Sequence, residues 1–445
     1  MKKQKNGMHI GHYYIKCKPL TVVLVCVIVL ALAAGCVYML RGGSNDTVVT
    51  VGGNAVTETA TKEPVEAIVT NSPTPNPPTP SPEPTAEPTP EPTPAPRSAT
   101  VRFIGEVIVD EDILAAGLQA DGSYSFSDML AMASGAVGNA DYTIANVEGS
   151  MGGIGSGYTG KKLYNTPEII IDELKAIGVD MLTLANDHAL DVGMNGLLGT
   201  ITHCQESGME YVGAASTQEE HDTPKIVDIN GINVCFLNYT TTLNSMEKET
   251  TTDAVEYGVN LAKYSNSRSD AAAAREAGAE VIIAVISWSK DGETKIDDMQ
   301  KQVAAILLDS GVDAIIGYGP RNAQAVMWLD NTDEEGNVVS NTLCVRSVGA
   351  FLTSATENNS DFGTIFELTL TEQAGGGFKI ENPTSIPTYV WKYTDGENTG
   401  YRVLACGEWM EEQPEGMSDD AYARMQLIWE NISSVVTENS AIEMN

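Results

Sequence analysis

From Pro64 to Pro96 the chain is dominated by proline, threonine and glutamate, and a segment of that composition cannot bury enough apolar surface to fold. Any globular core must therefore lie to one side of it. The denser part, Pro73–Pro96, favours polyproline II, which at about 3.1 Å per residue makes a stiff spacer of roughly 75 Å. A disordered tether of no set length is the simpler reading of the same residues. Residues 41–98 are taken together as one linker.

On the N-terminal side, residues 20–40 read LTVVLVCVIVLALAAGCVYML and carry no charge. About 20 apolar residues at 1.5 Å rise cover a hydrocarbon core of about 30 Å. Lys2, Lys3, Lys5, Lys16 and Lys18 precede the run with no acidic residue among them, which predicts a cytoplasmic tail at residues 1–19 and everything after the span outside. Ala33-Ala34-Gly35-Cys36 resembles a lipoprotein cleavage box, and a cleaved signal peptide is a further alternative. The apolar run continues past Cys36 through Leu40, which favours the uncleaved anchor.

The chain has 60 acidic and 26 basic residues. Six of the basic ones lie before Gly42, which leaves 20 against 60 beyond the anchor and a net charge there near −40. Such a surface repels polyanions, so a nucleic-acid partner is not expected, and an anionic polymer would need a local cationic pocket. Cys204, Cys235, Cys344 and Cys406 are the cysteines beyond the linker, with no CxxC pair, so neither a disulfide scaffold nor a thiolate metal site is indicated.

Residues 99–445 have a globular texture. Strand-like runs are TVRFIG, DYTIAN, VDMLTLA, MEYVG, VIIAVIS, VDAIIG, NTLCVRSV and FGTIFELTL. Helical patterns fall between them at 126–137, 167–177, 193–207, 267–277 and 297–310, and a last one at 419–436. Repeated strand–helix–strand units predict a layered α/β sandwich with helix-covered, largely parallel sheets. Asn230-Gly231 between two strand runs is a type I′ hairpin signal and makes the sheets mixed.

In such folds polar groups at the carboxyl ends of strands converge on a site. Glu106, Asn146, Glu148, Asn186, His188, Trp288 and Arg321 all follow strand-like runs. Carboxylates, an amide and an imidazole on neighbouring strand ends are the materials of a dinuclear phosphoester-hydrolysing centre. Each has a plainer role: the Asn and Glu side chains can anchor loops, Asp191 can cap the following helix, Trp288 can be packing, and Arg321 can be a surface residue.

These residues carry a resemblance. LANDHALDVGMNGLLGTITHCQESGMEYVGAA, residues 184–215, resembles the capsule-synthesis CapA segment that usually reads L-A-N-N-H-x-x-D-x-G, then a helix, then x-V-G-A-G. ANVEG at 145–149 is similar to that family's A-N-L-E-G, and GVDAIIGYGPRNAQ at 311–324 to its G-A-D-x-V-I-G-H-H-P-H-x-x-Q. The likeness runs over about residues 100–405 and implies a calcineurin-like metallophosphoesterase fold.

The departures bear on chemistry. Glu106 stands where the family has aspartate, Ser287-Trp288-Ser289 where it has His-Trp-Gly, Tyr318, Gly319 and Arg321 where three histidines are usual, and Ala350 where it has asparagine. Beyond the linker only His188, His203 and His221 remain. Two ions with imidazole caps are therefore not expected. Glu106, Glu148, Asn186 and His188 form the reduced set for one divalent ion, Mn, Mg or Zn.

The resemblance implies a membrane-anchored extracytoplasmic protein that acts in synthesis, export or attachment of an anionic extracellular polymer such as poly-γ-glutamate. Its partners would be that polymer or the polymer-synthase membrane subunits. The reduced ligand set implies binding rather than cutting. An active metal-dependent phosphoesterase and a cell-surface interaction module are the alternatives.

Overall fold

The computed structural model describes residues 8–10, 13–15, 95–262, 266–288, 291–333, 335–437 and 443–444. The run at 20–40 and the proline-rich stretch up to residue 94 lie outside them. Among the described residues no helix is long and apolar enough to cross a membrane. In the N-terminal unit Met8–Ile10 pairs antiparallel with Tyr13–Ile15.

The second unit begins at Pro90. Its principal strands are β1 (Ser98–Ile108), β2 (Tyr142–Glu148), β3 (Met181–Thr183), β4 (Glu210–Val212), β5 (Ile226–Ile229), β6 (Ile232–Thr240) and β7 (Val281–Ser287). They continue with β8 (Ala314–Tyr318), β9 (Val326–Thr332), β10 (Val338–Val345), β11 (Ala350–Leu352), β12 (Phe362–Glu372), β13 (Phe378–Asp395) and β14 (Asn398–Ala405). The main helices are α1 (Glu111–Gly117), α2 (Ile169–Ala176), α3 (Gly193–Ser207), α4 (Asn266–Glu276), α5 (Asp298–Asp309) and α6 (Asp419–Thr437).

One sheet has the order β14-β13-β12-β1-β2-β3-β4, with β11 against the end of β1. Its β1 to β4 half is parallel and its β12 to β14 half antiparallel. The other has the order β9-β10-β8-β7-β6-β5, parallel at β6, β7, β8 and β10 with an antiparallel strand at each edge.

The apolar runs explain the layering. In β7, Val281, Ile283 and Val285 point into one buried cluster and Ile282, Ala284 and Ile286 into another, the pattern of a parallel strand covered on both faces. The inner cluster joins the sheets: Val101, Phe103 and Ile144 of the first meet Phe236, Ile283, Ile316 and Val345 of the second. Ile170, Leu174, Leu197 and Ile201 from α2 and α3 cover the first sheet's outer face, and Ala271, Ala274, Val303 and Leu307 from α4 and α5 cover the second's. The protein is a mixed α/β fold in which two sheets lie face to face between helices.

The Asn230-Gly231 hairpin is present, with φ of 52° and 80° at its two central residues. The helix at 297–310 carries a capping box between Asp297 and Gln300. The four described cysteines are buried free thiols. Two expectations change. The helix at 126–137 breaks into Ser127–Leu130, a 3-10 turn at Ala131–Ala133 and Ser134–Gly138, because Ser134 turns its hydroxyl back onto the Ala131 carbonyl at 2.8 Å and glycines at 135 and 138 favour the coil. The region after Thr371 adds the long ladder of β13 and β14, which Pro383 and Pro387 conceal in sequence. Asn382 and Pro383 together oppose Leu368 in a register shift that accommodates the missing N–H.

Candidate functional site

The site begins with one irregularity in β1. Residues 99, 101 and 103 face the inner cluster, but the ladder to β2 shifts between Ile104 and Glu106, after which Val107 faces the outer cluster and Glu106 turns inward. A bulge of this kind exchanges the two faces of a strand. Gly105 permits it: a Cβ there would lie 2.6 Å from the Gly349 carbonyl oxygen, which accepts the Glu106 N–H at 2.8 Å.

Glu106 Oε1 accepts the backbone N–H of Gly319 at 2.9 Å and of Arg321 at 3.2 Å, both in the loop after β8. Burial, followed by the charge of Glu148, pushes the Glu106 carboxyl well above the usual carboxylate range, against the pull of Arg321 and the Gly319 N–H. Asn146 lies opposite Glu106 on β2, and Glu148 follows two residues on. Asn146 Oδ1 and Glu148 Oε2 are buried without a hydrogen-bond partner.

Asn186 closes the turn after β3. Its oxygen accepts the Gly149 N–H at 3.3 Å and the His188 N–H at 3.1 Å, and its amide donates to the Val147 carbonyl at 2.8 Å. With both ends engaged by backbone it clamps two strand ends, and its oxygen is not free to ligate an ion. His188 is held in turn by Asp191, whose Oδ2 lies 2.6 Å from Nδ1. Asp191 is not the helix cap: Val192 occupies that position and makes no side-chain cap bond. Instead Asp191 also accepts the Tyr164 N–H at 2.6 Å and the Asn244 amide at 3.0 Å. His188 Nε2 is left facing Glu148 at 3.5 Å and Asp187 at 3.6 Å. Burial opposes the imidazolium, but the Asp191 bond and the charges of Glu148, Asp187 and Asp191 outweigh it and lift the His188 pKa to about 9. Burial and then Glu148 raise Asp187 to about 7.

Arg321 is inside the pocket rather than on the surface. Its Nη2 lies 2.9 Å from Glu148 Oε1 and 3.1 Å from Asp291 Oδ2. The Arg321 side chain is 12% exposed and Glu148 3%, against 55% for Asp291, so the pair is buried on one side and open on the other. The Arg321 backbone has φ of 60°, a left-handed conformation that non-glycine residues seldom adopt. The two N–H bonds to Glu106 and the Ala350 N–H on the Arg321 carbonyl at 3.2 Å hold it there.

Trp288 is 1% exposed; its indole N–H donates to the Arg346 carbonyl at 2.8 Å, so it packs the second sheet and has no face free for a ligand. Tyr318 is also buried and bonds across the sandwich to the Ile104 carbonyl at 3.0 Å. Sequence reasoning left Tyr164, Asp187 and Asp291 out of the candidate set and gave Asp191 only a capping role. Asp187 sits in the same strand-end motif as Asn186 and His188, a signal that was available; Tyr164 arrives from the short hairpin strand Leu163–Asn165 and Asp291 from a turn, without any.

The calcineurin-like fold that the sequence resemblance leads one to expect would imply metal. Two ions do not fit this donor set: among the described residues His188 is the one imidazole in the pocket, the Asn186 oxygen is engaged, and a guanidinium already binds Glu148. One ion meets a possible set in Glu148, Asp187 and His188, whose ligand atoms lie within 4.8 Å of one another. It would have to displace the proton on Nε2 and compete with Arg321.

Among known proteins, the family model described as bacterial capsule synthesis protein PGA_cap matches residues 100–354. The capsule biosynthesis protein CapA of Bacillus anthracis is 25% identical over 158 residues, 36% of this chain and 38% of that protein. The PGA biosynthesis protein CapA of Bacillus subtilis (strain 168) is 21% identical over 164 residues, 36% and 41% of the two chains. The match thus spans about two fifths of the length of these curated relatives. The calcineurin-like phosphoesterase YfkN from Bacillus subtilis is similar at 14% identity and a TM-score of 0.38, over 76% of this chain and 98% of that one.

Proposed function

This chain belongs to the bacterial capsule synthesis protein family PGA_cap, and from that premise we propose that it holds an anionic, amide-bearing polymer at the envelope surface in a metallophosphoesterase-like pocket adapted to binding. The observation that carries the reading is the pairing of two unsatisfied buried acceptors, Asn146 Oδ1 and Glu148 Oε2, with a guanidinium whose outer partner is the exposed Asp291. Buried polar groups call for partners. A chain such as poly-γ-glutamate offers amide N–H groups to the acceptors and a carboxylate to take the place of Asp291 on Arg321.

Leu20–Leu40 and the lysines before it support a single-pass anchor with the folded unit outside, and the proline-rich linker supports a stalk that holds it away from the bilayer. The polymer-synthase membrane subunits are the expected partners at that position. Binding of poly-γ-glutamate to the detergent-purified full chain, weakened by salt, is the expected result. Mn²⁺- or Zn²⁺-dependent phosphodiesterase activity that Glu148→Gln abolishes would overturn the reading.

The Glu148, Asp187 and His188 cluster favours one second reading, a hydrolase with a single divalent ion. Such an ion would act as a Lewis acid on a phosphoryl or carbonyl oxygen. This reading requires stoichiometric metal in the protein as purified.

A further inference from the structure

We infer that Arg321 is a built-in counter-cation, its guanidinium taking between Glu148 and Asp291 the place that a divalent ion would otherwise fill. The placement is costly to the chain and is held from several sides. The residue sits in the left-handed region at φ 60°, a conformation that the surrounding structure has to impose on a side chain of this size. Glu106 Oε1 gathers the N–H groups of Gly319 and Arg321, and β11 contributes the Ala350 N–H to the Arg321 carbonyl. The loop is thereby fixed so that the guanidinium meets Glu148 at 2.9 Å and Asp291 at 3.1 Å.

Without it, Glu148 would be a buried carboxylate close to Asp187 and Asp291, with His188 as its remaining cationic neighbour among the described residues. Removing one partner of a buried pair leaves an uncompensated charge. A divalent ion is the natural replacement, because Glu148, Asp187 and His188 already offer ligand atoms close together. Arg321 therefore decides whether this pocket is organised by the protein's own cation or by an external one.

The test uses the full chain in detergent micelles as wild type, R321Q and R321K. Manganese content after equilibrium dialysis and the thermal midpoint in EDTA and in MnCl₂ are measured. The wild type should hold far less than one ion and show the same midpoint in both media. R321Q should melt lower in EDTA, take up about one ion per chain and recover its midpoint in MnCl₂, as ligand linkage requires. R321K, which keeps a cation, should resemble the wild type. Stoichiometric manganese in the wild type, or an R321Q chain with unchanged midpoint and no uptake, overturns the inference. Should R321Q fail to fold in EDTA, the E148Q/R321Q double variant removes both charges and is expected to fold without metal; failure of that variant also overturns it. The inference rests on the reading that this pocket is the working site, but the two fail separately. Absence of polymer binding by the wild type defeats the proposed function and leaves the manganese and melting results standing.

Discussion

Nδ1 of His188 lies 2.6 Å from Oδ2 of Asp191, and this one bond decides which nitrogen of the ring reaches the pocket. Asp191 accepts, so Nδ1 carries a proton and Nε2 is turned toward Glu148 and Asp187. The Asp191 side chain is fully buried and gathers bonds from three different segments, at Tyr164, His188 and Asn244.

Asp191→Asn keeps the shape and removes the charge. The unfolding free energy should fall by about 1–3 kcal/mol, because a buried acceptor set is replaced by one that must also place an amide donor. The His188 pKa should move down from about 9, since its leading charge-stabilising bond is weakened. An NMR titration of the imidazole checks both the shift and its direction; an unchanged value would contradict the role given to Asp191.

Stability should decline through the alkaline range. An imidazole that titrates at about 6.5 when unfolded and at about 9 in the fold binds more protons folded than unfolded between those values. Its contribution is complete below about pH 6.5 and is lost as pH rises through about 9. Asp187, raised by burial and then by Glu148 to about 7, acts with the same sign at lower pH, because the fold retains a proton that the unfolded chain has shed. Thermal midpoints across this range should fall with pH, and His188→Gln should flatten the slope above neutrality. A midpoint that rises toward alkaline pH would show that the imidazolium is not held by the fold.

Asn238 is a second connection between the sheets, away from the charges. It is wholly buried on β6, accepts the Ala185 N–H at 2.8 Å and donates to the Val285 carbonyl at 3.3 Å. Asn238→Leu leaves the Ala185 donor unpaired inside the sandwich and should cost about 1–3 kcal/mol. Chemical denaturation measures it, and a neutral result would mean that Ala185 finds another acceptor.

Much of the architecture was legible because parallel strands buried on both faces are continuous apolar runs. VIIAVIS and VDAIIG could hardly be anything else, and Asn230-Gly231 announced its own hairpin. The ladder of β13 and β14 was not legible: two prolines interrupt it, and only the partner strand shows how a register shift absorbs one of them. The pocket was half legible. Glu106, Glu148 and His188 were found because each follows a strand-like apolar run in the sequence. Arg321 was named with them, but its interior position depends on a backbone conformation that sequence does not announce, and Asp291, which comes from a loop, was missed. Trp288 misled for the opposite reason, as a tryptophan at a strand end is equally suited to a ligand face and to the space beneath Arg346.

The bulge at Gly105 gives the most direct test of how backbone geometry builds the pocket. With regular pairing Glu106 would face the outer helices and Val107 the sheet interface, so the inward carboxylate exists because one residue is taken out of the ladder. A methyl group on residue 105 would meet Gly349 O at 2.6 Å, Ala350 C at 2.7 Å and Phe351 N at 2.8 Å, all backbone atoms that cannot rotate away. Gly105→Ala must therefore push β11 from β1, and overpacking of this kind costs about 1–3 kcal/mol. Because β11 also holds the Arg321 carbonyl through Ala350, the displacement should reach the pocket: polymer binding should weaken together with the loss of stability. Gly122→Ala is the control, since a Cβ at Gly122 has nothing within 4 Å, and despite its positive φ it should leave binding unchanged. Retention of full binding by Gly105→Ala would mean that the bulge shapes the fold without setting the site.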